Sequence, residues 1–235
     1  MRIAYRQHCQ SVLLRSQWFA GLPEALQNMI LELSMLRLVE EGHVLIAEDS
    51  LPTSFFLLLE GQVAITRRIG SQNEFFYHLG GPGFCFGEIG LLNGKETVIT
   101  ATARTPVRTL ILPLTNFRSI IESNPEYYEH FSRLMEMRYA ILMRNLAQSR
   151  GLSLEEYLRV RLADISDMIH AEGGENETVE LALTQYDLAQ MIGASRQTVN
   201  AILHKLVKDE LVELSFRKIR ILDPDRLRSD RRKAI

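Results

Sequence analysis

Cysteine is scarce in this 235-residue chain: only Cys9 and Cys85, far apart and in no paired motif. That excludes a four-cysteine iron–sulfur cluster and argues against a disulfide scaffold or a zinc site. No apolar run reaches the roughly 20 residues that a membrane-spanning helix needs. The first residues lack the apolar core of a signal peptide, so a cytoplasmic protein with no membrane partner is expected. Enzyme signatures are missing too: no paired-carboxylate motif, no nucleophile elbow, no phosphate-cradling glycine loop before a helix. Gly80–Gly83 is a turn cluster with Pro82 inside it. No enzyme is expected.

Charge of neither sign dominates, with a net value of -2. Its distribution is uneven. From Thr184 onward there are 11 Lys and Arg against 7 Asp and Glu; the remainder holds 16 against 22. A basic C-terminal module on an acidic body suits a chain whose last domain alone meets phosphate. The basic end, DRLRSDRRKAI, reads alternatively as a disordered solubilising tail. With 46% hydrophobic residues the chain has ample core for one large or two modest domains.

The most informative stretch is Thr184–Lys208. Thr184 is a good N-cap, and Asp187 can complete a capping box. Leu188, Ala189 and Ile192 share one face of a short helix. Gly193 ends it, and Ser195 caps the next. Val199, Ile202, Leu203 and Leu206 have the spacing of a buried stripe. The other face carries Arg196, Gln197, Asn200, Ala201, His204 and Lys208. Arg pairs with guanine, and Gln or Asn with adenine, through two hydrogen bonds to a base edge. Small Ala189, Gly193 at the turn and Val199 in the angle fit a helix-turn-helix, against the alternative of a helical hairpin with a solvated polar face. The candidate DNA contacts are therefore Thr184, Ser195, Arg196, Gln197, Thr198, Asn200, Ala201, His204, Lys205 and Lys208. A β-hairpin wing follows, Leu211–Leu214 and Ile219–Leu222 around Ser215–Lys218, with Arg217, Lys218 and Arg220 placed for phosphate.

Upstream, residues 1–20 are hard to read beyond an apolar anchor at Trp18-Phe19. A helix starts at Leu22-Pro23-Glu24 and buries Leu26, Met29, Ile30 and Leu33. From Met35 to Leu112 the texture is short β-like runs between turns: Val44–Ala47, Phe55–Leu59, Gln62–Arg67, Phe75–Leu79, Ile99–Ala103 and Val107–Leu112. Glu60-Gly61, Gly70-Ser71 and Asn93-Gly94 are among the turn signals. Such spacing indicates a sandwich or barrel. A helix from Thr115 to Ser123 is stopped by Asn124-Pro125. A long one follows to Arg150, roughly 39 Å at 1.5 Å per residue. Phe131, Leu134, Met135, Ile141, Leu142 and Leu146 form its apolar stripe. Its length suggests pairing with a second copy. Ser153 and Glu156 make another capping box opening a helix to Ile169. Glu172–Glu175 reads as a loop and Thr178–Leu183 as a strand. The expected division is a β-rich domain over 1–124, which the resemblance given next makes effector-sensing, a dimerisation helix over 125–150 and a winged helix-turn-helix over 151–235.

That layout resembles the cyclic-AMP receptor protein/FNR superfamily of bacterial regulators. In the first half the matching pieces are Leu59–Val63 and Phe86–Leu92. In the second they are Thr184-Gln185, Ile192-Gly193 and Ala194–Val199. The resemblance implies an α+β chain: a cyclic-nucleotide-binding-like β-roll (a double-stranded jelly roll), a long dimer helix, then a winged helix-turn-helix. It also implies a homodimer on a two-fold symmetric operator of double-stranded DNA, RNA polymerase as a partner, and control by a small effector at the roll.

The effector pocket implied by the resemblance comprises Gly87, Glu88, Ile89, Lys95, Thr97, Val98, Leu142 and Met143. Gly87-Glu88 matches the family's ribose contact. Its Arg-Ser phosphate pair is replaced by Thr97-Val98, and Val98 offers no cation to a buried phosphate. Lys95 lacks the bidentate fork of an arginine. The Thr-Ser pair that reaches adenine falls at Leu142-Met143, which are apolar. Both departures argue against cyclic AMP and for a hydrophobic effector or none. Haem, with an axial ligand among His8, His43, His78, Cys9 and Cys85, is the other cofactor weighed. At the DNA face Gln197 stands where the best-known member has Glu, and Ala201 replaces an Arg, so a different half-site is expected. The rival function is a regulatory or interaction module that keeps the roll and lacks sequence-specific DNA binding.

Overall fold

The computed structural model describes residues 3–70, 73–170 and 178–229. Ser71, the expected loop Glu172–Glu175 and the end of the basic run (230–235) lie outside the described residues. Close contacts divide the chain into two units, residues 1–67 with 80–142, and residues 68–79 with 143–235. No described helix is long and apolar enough to cross a membrane.

The first unit opens with three helices, α1 (Ile3–Leu13), α2 (Gln17–Ala20) and α3 (Glu24–Leu33). Eight strands follow along the chain, of which β5 falls almost wholly within the second unit: β1 (Met35–Val39), β2 (Val44–Ile46), β3 (Ser54–Glu60), β4 (Val63–Ile69), β5 (Asn73–Gly80), β6 (Cys85–Phe86), β7 (Thr100–Ala103) and β8 (Val107–Pro113). A short helix α4 (Glu88–Asn93) interrupts them. They form two four-stranded sheets, ordered β1-β8-β3-β6 and β2-β7-β4-β5. Strand β3 is the hinge of the packing. Its SFFLLLE run does not alternate because both of its faces are covered, the mark of an interior strand. Phe55, Leu57 and Leu59 join the core under the helices, with Leu110 and Leu112 of β8.

That core is aromatic. Trp18 lies 5.6 Å from Phe55 and 5.5 Å from Phe131, and Phe117 lies 4.8 Å from Phe131, ring to ring. The Trp18 indole N–H donates to the His130 carbonyl at 2.7 Å, so its one polar atom is satisfied in a buried setting. Helix α5 (Leu114–Ser123) supplies Phe117 and Ile120. The next helix, α6 (Tyr128–Gly151), begins three residues later than expected, because Pro125–Tyr127 winds as a tighter 3-10 turn.

Helix α6 carries two stripes rather than the single one expected. Phe131 and Leu134 are buried against the roll; Asn145 and Gln148 are buried further along the same side. Met135, Tyr139, Leu142 and Leu146 form a second, exposed stripe at spacings of four, three and four. Tyr139, 63% exposed, belongs to that stripe.

The second unit contains α7 (Leu154–His170), β9 (Val179–Leu181), α8 (Gln185–Ile192), α9 (Arg196–Lys208), β10 (Val212–Ser215), β11 (Lys218–Ile221) and α10 (Pro224–Ser229). Its sheet is ordered β10-β11-β9, so β9 adds a third strand to the hairpin. Among the described residues six elements escape the sequence reading: α1, α2, α4, α10, β1 and β6. Helix α1 has only a short apolar periodicity. Strand β1 is exposed along four of its five residues, so nothing alternates. Helix α10 lies inside the run read as a tail, held by Leu227, which is buried.

Candidate functional site

The two helices of the second unit are set by their caps. The Thr184 Oγ accepts from the Asp187 N–H at 3.1 Å, and the Asp187 carboxylate accepts from the Thr184 N–H at 2.8 Å. Gly193 takes a left-handed φ of 67°, and the Ala194 N–H closes the turn on the Ala189 carbonyl at 3.1 Å. The Ser195 Oγ then accepts from the Thr198 N–H at 3.0 Å, starting α9. Three anchors therefore fix the angle between α8 and α9, and Val199, Leu203 and Leu206 are fully buried beneath α9.

The opposite face of α9 is open. Arg196, Gln197, Ala201, His204, Lys205 and Lys208 are exposed; Thr198 and Asn200 are half-buried. Asn200 is not a free reader, because the Gln185 Nε2 donates to its Oδ1 at 3.0 Å. Lys205 is not a free cation either. Its Nζ donates to both Glu155 oxygens, at 2.7 and 2.8 Å. That hydrogen bond, together with the carboxylate's charge, raises the Lys205 pKa. The hydroxyls of Thr184 and Ser195 are committed to the caps. On the wing, Lys218 is paired with Glu180, and Arg220 with Glu213 at 3.1 Å. Glu155 is absent from the sequence reading, and Gln185 enters it only through the Thr184-Gln185 match, not as a partner of Asn200. Gln185 carries no signal beyond its place after the cap, and Glu155 lies 50 residues from the lysine it holds.

The expected effector pocket is built in the first unit. Gly87 has a φ of 100°, and a Cβ there would stand 2.8 Å from the Ser54 carbonyl oxygen, so only glycine fits before Glu88. Glu88 is 2% exposed. Its Oε1 lies 2.5 Å from Nε of Arg138 on α6. The Arg138 Nη2 donates to the Cys85 carbonyl, and its guanidinium sits 4.9 Å above the Phe84 ring. The site thus has a cation after all, supplied from 50 residues away, and it is already neutralised. Sequence spacing could not place Arg138 there, because only the fold brings α6 against Glu88.

The remaining pocket candidates scatter. Thr97 is buried, its hydroxyl turned inward to the Ala47 carbonyl at 2.6 Å. Lys95 and Val98 are exposed, and Ile89 is half-buried. Leu142 and Met143 are exposed on α6. Cys85 is buried beside Arg138 and Glu88. Burial pushes its thiol pKa up strongly, opposed by Arg138 and reinforced by Glu88. Among the haem candidates His8 and His43 are exposed, while His78, Cys9 and Cys85 are buried. Among the described residues no three His, Cys, Asp or Glu side chains converge as a metal site.

Comparison with known proteins agrees with both halves. Residues 36–124 match the cyclic nucleotide-binding domain family, and residues 142–229 the Crp-like helix-turn-helix domain family. A CRP-like cAMP-activated global transcriptional regulator of Mycobacterium tuberculosis is 27% identical over 217 residues, 92% of this chain and 96% of that one. The cAMP-activated global transcriptional regulator CRP of Pasteurella multocida is 24% identical over 164 residues, covering 68% of this chain and 76% of that one. Among solved structures, FixK2 from Bradyrhizobium japonicum superposes with a TM-score of 0.68 at 15% identity, over 83% and 95% of the two chains. A CRP/FNR-family transcriptional regulator from Thermus thermophilus gives 0.64 at 24%, over 82% and 96%. With a cyclic-nucleotide-binding roll, a long helix and a Crp-like helix-turn-helix in that order, this chain belongs to the cyclic-AMP receptor protein/FNR superfamily of DNA-binding transcription regulators.

Proposed function

We propose that the protein works in the cytoplasm as a homodimer, joined through α6, on a two-fold symmetric operator. The roll over 1–124 senses, residues 125–150 pair, and residues 151–235 bind DNA. The observation that carries this reading is the open ridge of α9, running from Arg196 and Gln197 past Asn200 and Ala201 to His204 and Lys208. Its caps hold it rigid before any DNA arrives. Two copies of the ridge reach successive major grooves if the half-sites lie about one helical turn apart. The exposed stripe Met135, Tyr139, Leu142 and Leu146 supports pairing, since the 4-3-4 spacing is that of a coiled-coil seam. RNA polymerase is the further partner expected of a regulator that acts on transcription.

Cyclic AMP is not the effector in this reading, although the regulators of Mycobacterium tuberculosis and Pasteurella multocida named above are cAMP-activated. An entering phosphate would have to separate the buried Arg138–Glu88 pair, and Thr97 turns its hydroxyl away. Selection of bound fragments from random duplexes, followed by mobility shifts, tests the DNA reading. Arg196→Ala should weaken the selected site by about 1–3 kcal/mol per half-site and relax preference at one base pair. Equal weakening on every sequence would reduce Arg196 to a phosphate contact. Calorimetry with cyclic AMP should give no tight binding.

A further inference from the structure

Phe216 has no role in the account so far. It is 88% exposed, more than any other large hydrophobic side chain among the described residues. Isolated exposed apolar residues are common, but the position of this one is unusual. It stands at the tip of the β10–β11 hairpin, between the paired residues Ser215 and Lys218. The other tip residue, Arg217, holds a left-handed φ of 58°, where glycine would be less strained. The tip therefore combines a solvated ring with a strained arginine, where a polar residue and a glycine would fold more easily. Arg217, Lys218 and Arg220 follow Phe216 within four positions.

An apolar ring beside Arg217, with the Lys218–Glu180 and Arg220–Glu213 pairs behind it, suits a surface with anionic rims and an apolar interior. A duplex groove has both: phosphates at its edges, sugars and stacked bases within. One ring is too little apolar area to hold a bilayer. The Leu211 N–H donates to the Leu206 carbonyl at 2.9 Å, so the hairpin springs directly from the end of α9. Its four-residue strands reach roughly 13 Å beyond that joint.

We propose that Phe216 is an apolar wedge, entering the minor groove beside each half-site and partly unstacking one base step, with Arg217 on the groove wall. This rests on the DNA reading above. Apolar side chains driven between base steps are a known way to kink a duplex.

The test uses the full-length protein and its selected operator, with 2-aminopurine placed at successive positions flanking the half-sites. Wild type should raise the fluorescence severalfold at one step on each side. Phe216→Ala should abolish the rise and weaken binding about tenfold. The slope of log affinity against log salt should stay unchanged, because no charge is removed. Phe216→Trp should preserve the rise. Circular dichroism of each variant checks that the fold is intact. An unchanged affinity and fluorescence profile for Phe216→Ala would sink the wedge alone, even if transcription fell. If wild type retained no DNA, the operator reading and the wedge would fail together.

Discussion

Arg217 illustrates how a single residue can be set against the stability of its own turn. Its left-handed backbone suits glycine. Replacing it with glycine should stabilise the protein by about 0.5–1 kcal/mol, read as a higher urea midpoint. The same variant should bind operator DNA less tightly, a stability–function trade of a familiar kind. Cys85 gives a second prediction at this scale. Its thiol stays neutral in the fold, while the unfolded chain ionises near the ordinary value of 9.0. Above pH 9 the unfolded state therefore holds fewer protons, and stability falls as pH rises. The slope from this group approaches about 1.4 kcal/mol per pH unit. Tyr157, also raised by burial, adds to the fall above its ordinary value of 10.0. Cys85→Ala should remove the Cys85 part, seen by chemical denaturation between pH 8 and 10.5. If the wild-type and variant curves stay parallel, the thiol is not held neutral.

Elements are where the sequence was most legible. The α8–α9 pair could be read nearly to the residue, because caps, glycine and apolar spacing all agree locally. The strands β3, β4, β7 and β8 were likewise visible from their apolar runs and the turns between them. What stayed hidden were elements whose residues answer to distant partners. Strand β1 is mostly exposed, and α10 looks like tail until Leu227 finds its buried place. The site was hidden for the same reason. Glu88 was legible from its neighbours, whereas Arg138 reaches it only through folding. On α6, the stripe read as one feature divides into a face committed to the roll and a face left open. The open face makes a prediction at this scale. Leu142→Glu with Leu146→Glu should convert a dimer to a monomer by sedimentation, with helix content retained. A variant that remained dimeric would place the pairing surface elsewhere.

For the whole molecule, formal charge overstates what DNA would feel. Residues 184–235 are basic in count, 11 Lys and Arg against 7 Asp and Glu, yet Lys205 is held by Glu155 and Lys218 by Glu180. Such pairing restrains unspecific attraction to phosphate. Glu155→Gln should release Lys205 and steepen the salt dependence of DNA binding by about one unit per half-site. Affinity for unrelated duplexes should rise more than affinity for the operator. An unchanged salt slope would mean that Lys205 lies off the DNA path. No count of residues along the chain could reveal this restraint, since Glu155 and Lys205 belong to different helices.

Arg138 lies on α6 between the residues that face inward and those that face out, one position before Tyr139. Its grip on Glu88 and on the Cys85 carbonyl works as a key in a shaft: it sets the angular phase of the rod. Successive residues sit 100° apart around a helix. A twist of one such step would withdraw the key and carry Tyr139 and Leu142 out of line together. On the pairing proposed above, loss of the Arg138 grip on Glu88 would therefore re-index the surface offered to a second copy.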